Sequence, residues 1–157
     1  MRSWDEDLSS RNLISQIMVK NVLSTEASTH LVDAVRLIAE KGIGCVVITD
    51  DGKPVGILTE RDIMKEIAND KNAFQKDVGA LMRQPLVSAS PDTPVVDALD
   101  LMRKKDIRRL PVVNKGKLEG IVTVHRDLLY WALAAMRTSS GTPTVPPNDG
   151  IGAEDQT

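Results

Sequence analysis

Met18–Thr59 reads MVKNVLSTEASTHLVDAVRLIAEKGIGCVVITDDGKPVGILT, and Met82–Thr123 reads MRQPLVSASPDTPVVDALDLMRKKDIRRLPVVNKGKLEGIVT. Laid on each other without a gap, the stretches agree at Ser24 and Ser88, Asp33 and Asp97, and Ala34 and Ala98. They agree again at Gly52 and Gly116, Gly56 and Gly120, and Thr59 and Thr123. Elsewhere character is kept: Val22-Leu23 answers Leu86-Val87, and Val47-Ile48 answers Pro111-Val112. A repeat of this length is one supersecondary unit used twice. Two such units pack about a pseudo-two-fold axis, which leaves a cleft where one small ligand can touch both.

Each copy reads β-α-β-β-α, an α+β unit. A short apolar strand (Val22 to Ser24; Leu86 to Ser88) leads to a helix with apolar residues at i, i+3, i+4 and i+7. These are Leu31, Ala34, Val35 and Ile38, then Val95, Ala98, Leu99 and Met102. Thr93 before Pro94 predicts an N-cap with proline at the first helical position, and Thr29 holds the equivalent place. A buried strand follows (Cys45 to Thr49; Leu110 to Val113). Next come turns suited to tight hairpins, Asp50-Asp51-Gly52-Lys53 and Asn114-Lys115-Gly116-Lys117. The second hairpin arm (Val55 to Leu58; Leu118 to Val122) runs into a closing helix, over about 60–69 and 125–137. Residues 5–17 and 71–83 read as short helices leading into each copy. The expected organisation is a lead-in at 1–13, repeat one at 14–70, repeat two at 71–137, and a flexible tail at 138–157, where the composition turns to Pro, Gly and small polar residues.

The chain has 157 residues, 41% of them apolar and 27% charged, with net charge −2. These values suit one domain, or two intimately packed halves, with a sizeable core. They give no electrostatic footprint for nucleic acid. No apolar run approaches the length of a membrane span and the amino-terminal stretch is acidic and polar, so a cytoplasmic protein without membrane contact is expected. The single cysteine, Cys45, lies in the apolar run GCVVI and reads as a small buried hydrophobe.

Signatures of catalysis are absent from the sequence. His30 and His125 lack the spacing of zinc ligands; no Walker loop, G-x-G-x-x-G or G-x-S-x-G occurs. The chain is therefore expected not to be an enzyme and to need no cofactor or metal. The informative junction is Gly56-Ile57-Leu58-Thr59-Glu60-Arg61-Asp62, where a strand ends on a hydroxyl and a carboxylate follows three residues on. One reading is a capping box, with Thr59 capping the helix and Asp62 complementing its positive end. The other uses the same geometry at a cleft, where the pair holds a sugar diol and the start of a phosphate chain. A second feature, Arg108-Arg109 at the entrance to a buried strand, has Gly44-Cys45 as its counterpart in copy one. An arginine pair so placed suits an anion clamp.

The duplicated unit, the GILTERD junction and the run QPLVSASPDTPVVDALDLMRKKDIRRLPVV together resemble the CBS-domain (cystathionine-β-synthase domain) family over about residues 14–136. The resemblance implies a tandem pair, or Bateman module, that binds an adenosine-containing ligand between its repeats and regulates some other process. Carried onto this sequence, it places Asp62 at the ribose hydroxyls and Thr59 at a phosphate oxygen. Leu86, Val87 and the backbone to Ser88 lie beside the base, Arg108 and Arg109 at the phosphates, Pro111 shapes the strand, and Arg61 is a further phosphate candidate. The second cleft, with Val22, Leu23 and Cys45 facing Thr123, His125, Arg126 and Asp127, departs from the pattern. One extra residue separates Thr123 from Asp127, which turns the carboxylate by about 100° on a helix.

AMP is the expected ligand, with ADP or ATP next, because two arginines suit a single phosphate. S-adenosylmethionine would set its positive charges against them. The alternative is a ligand-free dimerisation or docking module acting on an effector protein. Apolar residues on the closing helices, Leu128, Leu129, Trp131, Ala132 and Met136 among them, lead to the expectation of a homodimer.

Overall fold

The computed structural model describes residues 13–124. Repeat one begins with strand β1 (Ser24–Glu26), helix α1 (Leu31–Lys41) and the hairpin β2 (Cys45–Asp50) and β3 (Lys53–Thr59), and closes with helix α2 (Glu60–Asn69). A linking segment carries a 3₁₀ turn at Ala73–Gln75 and the short helix α3 (Val78–Leu81). Repeat two contributes helix α4 (Val95–Lys105) and the hairpin β4 (Arg109–Asn114) and β5 (Lys117–Thr123). Among the described residues no helix is long and apolar enough to cross a membrane.

The helices form where the apolar spacing predicts them. Leu31, Ala34 and Ile38 are buried on α1, and Ala98, Leu99 and Met102 on α4. Both hairpins close through two residues of positive φ, Asp51 (53°) with Gly52 (81°) and Lys115 (51°) with Gly116 (79°). This is the twist that matches the strands on either side. The Glu26 carboxylate braces the first turn, accepting from the Asp51 and Gly52 amides at 3.2 and 3.1 Å and from the Thr49 hydroxyl at 2.9 Å.

The expected capping threonines do not cap. Helix α4 starts one residue later than the sequence suggests, with Pro94 in the cap position, and the Thr93 hydroxyl instead meets Ser90 at 3.2 Å. In α1 the cap position is His30, and Thr29 pairs with Thr25 at 2.8 Å. The first strand is also displaced, since Val22 and Leu23 precede β1.

The repeats differ in their sheets, and proline is the reason. In repeat one, β1 runs parallel to β2, which is antiparallel to β3. The Val47 amide donates to Leu23 O at 2.9 Å and the Ala27 amide to Thr49 O at 2.8 Å. The equivalents of Val47 and Ala27 are Pro111 and Pro91, neither of which has an amide hydrogen. The strand expected over Leu86 to Ser88 is thereby reduced to one bridge, Ala89 to Val112, and among the described residues the second sheet has only β4 and β5.

The lead-in segments are exchanged between the repeats. Val19, ahead of β1, exchanges both backbone hydrogen bonds with Ile121 of β5 at 2.9 Å. Arg83, ahead of α4, does the same with Ile57 of β3 at 2.9 and 3.2 Å. Ile14 is buried in the core of repeat two with Ala98, Leu99, Met102, Leu110, Val112 and Val122. Val78 is buried in the core of repeat one with Leu31, Ile38, Val46, Ile48, Leu58 and Ile63. Gly56 and Gly120 recur because these segments cross directly above them. A Cβ at Gly56 would sit 2.5 Å from Met82 Sδ and 2.8 Å from Arg83 O; one at Gly120 would sit 2.7 Å from Met18 Sδ.

Of the short lead-in helices, the described parts are the 3₁₀ turn Ile14–Gln16, that at Ala73–Gln75, and α3. The closing helix expected over 125–137, the tail from 138 and the segment before residue 13 lie outside the described residues. Because Ile14 fills the core of the distant repeat, Ile14→Ala is expected to cost about 2–5 kcal/mol, the range for emptying a buried aliphatic site. Urea denaturation followed by circular dichroism measures this, and a loss below about 1 kcal/mol would contradict the exchanged packing.

Candidate functional site

Between the repeats lies a cleft of about 450 Å³, lined by Ile57, Thr59, Glu60, Arg61 and Lys65 of repeat one and by Arg83, Asp106, Ile107, Arg108 and Arg109 of repeat two. Its floor is the junction of β3 and α2. The first amide of that helix, on Glu60, donates to Gly44 O at 3.0 Å, which ties the helix start to the start of β2. Arg61 and Lys65 stand four residues apart on α2 and so share one face. Across the cleft, α4 ends at Asp106, whose φ of 52° takes the place that Gly42 holds at 65° after α1. The Ile107 amide reaches back to Met102 O at 3.0 Å, closing the helix end and directing the next residues into the cleft.

Thr59 and Asp62 form a reciprocal capping box. The Thr59 hydroxyl donates to Asp62 Oδ2 at 2.8 Å, the Thr59 amide donates to the same oxygen at 3.3 Å, and the Asp62 amide donates to Thr59 Oγ1 at 3.3 Å. The other oxygen, Oδ1, accepts from Arg83 Nε at 3.0 Å and Nη2 at 2.9 Å. Asp62 therefore lies just behind the lining, with its side chain 11% exposed and both oxygens engaged. The capping and ligand readings of this junction share one geometry, and the cap is formed here.

The structure brings Thr59, Arg61, Arg108 and Arg109 together at this cleft. It does not bring Leu86, Val87, Ser88 or Pro111 into the lining. Val87 packs on the core of repeat two, Leu86 is half-buried, Ser88 is exposed, and Pro111 is fully buried within β4. Arg109 leans across the pseudo-axis, and a Cβ on Gly44 would sit 2.6 Å from its Nη2. Burial raises the pKa of the Cys45 thiol, partly offset by the Arg109 guanidinium. Cys45 is thus a buried, protonated side chain in the position equivalent to Arg109.

In the second cleft, Leu23 belongs to the core of repeat one, Val22 is half-buried, and Thr123 is exposed opposite Arg109. His125, Arg126 and Asp127 lie outside the described residues. Sequence reasoning missed Arg83, Lys65, Glu60, Asp106, Ile107 and Ile57. The signal for Arg83 was available in the repeat alignment, where its counterpart is Val19: a charge appears at a position that otherwise carries an aliphatic. Among the described residues no group of three or more His, Cys, Asp or Glu side chains is placed to hold a metal ion.

The sequence pattern of the CBS domain matches this chain twice, over residues 14–69 and 77–126. The chain belongs to the CBS-domain family. An uncharacterised protein of Methanopyrus kandleri is 36% identical over 119 residues, covering 74% of this chain and 60% of its own length. A 17.7 kDa protein of Acidianus ambivalens is 33% identical over 132 residues, covering 83% of this chain and 79% of its own. The chain thus spans less than two thirds of the first of these relatives. Two solved CBS structures share the fold. CBSX2 in complex with AMP has a TM-score of 0.63 at 26% identity, over 81% of this chain and 99% of that one. The CBS domain pair of MJ0100, in complex with 5′-methylthioadenosine and S-adenosyl-L-methionine, has a TM-score of 0.65 at 30% identity, over 71% and 89%.

The capping box of the first CBS repeat yields a stability prediction. Thr59→Ala is expected to lower stability by about 1 kcal/mol and Thr59→Ser to lose far less, since serine keeps the cap oxygen. Equal losses for the two variants in thermal melts would show that the methyl group, not the hydroxyl, matters at this position.

Proposed function

We propose that this CBS pair is a regulatory module that binds an adenine nucleotide in the inter-repeat cleft, with AMP preferred and ADP or ATP next. The carrying observation is the charge of the lining: Arg61, Lys65, Arg83, Arg108 and Arg109 against Glu60 and Asp106. A cleft of about 450 Å³ lies in the range of small-molecule sites. Guanidinium groups recognise phosphate through paired hydrogen bonds. In this reading Asp62 takes the ribose diol and the arginines take the phosphate. The AMP and S-adenosylmethionine complexes of the two related CBS proteins support a nucleoside ligand. The cationic rim favours the anionic one, because a sulfonium and an ammonium would face like charges.

Calorimetric titration with AMP tests this. One nucleotide per chain is expected at micromolar concentrations, as only this cleft combines Thr59, Asp62 and the arginine pair. The double substitution Arg108→Ala, Arg109→Ala is expected to weaken AMP by at least about tenfold, since each charge-assisted bond contributes roughly 1.5–3 kcal/mol and 1.4 kcal/mol is one decade. Adenosine should change little. An unchanged AMP affinity in the double variant would remove the phosphate from this position.

The second reading is a docking module that works by self-association. It is favoured by the exposed apolar side chains of Met64 (67%), Ile17, Val19 and Phe74. Both readings are compatible with a homodimer through helical faces. Light scattering at tens of micromolar is expected to give twice the chain mass, and a monomeric mass would exclude the dimer.

A further inference from the structure

Resting on the nucleotide reading above, we propose that Arg83 is a latch on Asp62, which a nucleotide opens by offering Arg83 its phosphate while its ribose takes over the carboxylate. The Arg83 guanidinium donates twice to Asp62 Oδ1, at 3.0 and 2.9 Å. That oxygen is the one the capping box leaves open, because Oδ2 is held by the Thr59 hydroxyl and amide. A vicinal diol presents two donors, as the guanidinium does, so both compete for the same acceptor. Binding a diol at Asp62 therefore requires Arg83 to move.

It has somewhere to go. Arg83 lines the cleft that holds Arg61, Lys65, Arg108 and Arg109. Its backbone is fixed by paired hydrogen bonds to Ile57, so the side chain alone swings. The guanidinium side of the pair is solvated, the Arg83 side chain being 53% exposed against 11% for Asp62, and solvent screening weakens such a pair. A phosphate offers the guanidinium a full bidentate partner in exchange. A nucleoside without phosphate must break the pair with no such exchange. The latch thereby discriminates against nucleosides as well as favouring nucleotides. The counterpart of Arg83 is Val19, bridged to Ile121 in the same way, so repeat one contributes no equivalent arginine to the second cleft.

Titration of wild type, Arg83→Ala and Arg83→Gln with AMP and with adenosine tests the latch. Wild type should bind AMP. In Arg83→Ala, adenosine is expected to bind about twofold to fivefold more tightly, the range set by freeing an exposed ion pair. The preference for AMP over adenosine should narrow by about tenfold, one charge-assisted contact. Arg83→Gln, which keeps the side-chain stem, should move both values in the same direction and serves if the alanine variant melts well below wild type. Adenosine affinity that stays level or falls would overturn the latch, as would an unchanged preference for AMP. Wild type that binds neither ligand would remove the nucleotide reading and the latch together. Wild type that binds AMP with a silent Arg83 would remove the latch alone.

Discussion

Everything in this molecule depends on two places where one backbone crosses another with no side chain between them. Met18-Val19 runs over Gly120, and Met82-Arg83 runs over Gly56. A Cβ at either glycine would meet a methionine sulfur and a carbonyl oxygen inside contact distance. The crossings bind the hairpin of each repeat to the segment that leads into the other, and the second core draws Ile14 from ahead of β1. They also place Arg83 beside Asp62 and set the roof of the cleft. The glycine of the junction thus serves the close approach of one backbone to another.

The cleft is held together by charges that are mostly matched within the protein or open to solvent. Asp62 is the node: one oxygen closes the cap of α2 and the other holds Arg83. Around it stand further cations with fewer acidic neighbours, Glu60 and Asp106. Gathering like charges at one rim costs the folded state some self-repulsion. A bound anion relieves that repulsion, and any ligand that binds only the folded form adds its binding free energy to stability. An anion bound at this rim would thereby favour the folded form of both repeats.

Much of this was legible in the sequence because the repeat supplies an internal comparison. The periodicity of α1 and α4, the hairpin turns and α2 follow from residue spacing alone, and Arg108 and Arg109 stand out against Gly44 and Cys45. What stayed hidden depends on partners distant in sequence. Pro91 and Pro111 are ordinary residues until they are set beside Ala27 and Val47, whose amides make the ladder bonds that proline cannot. Thr93 has the composition of a cap, but its carbonyl is engaged by the Ile14 amide at 2.9 Å, and the helix begins later. The exchange of lead-ins leaves no local signature, since Ile14 and Val78 look alike wherever they pack. Leu86 to Ser88 and Pro111 belong to the cleft only by the family resemblance, and they stand outside its lining.

The exchanged lead-ins also give the two repeats unequal histories on the ribosome. Translation proceeds from the amino terminus, and domains tend to fold as their residues emerge. Once Leu81 has left the exit tunnel, the first core holds every member it needs, Val78 included. Ile14 is made before any of them, yet its partners Met102, Leu110 and Val122 come near the end of the described chain. The segment around Ile14 must therefore remain undocked while an entire repeat folds beside it, and its apolar side chains are exposed throughout that interval.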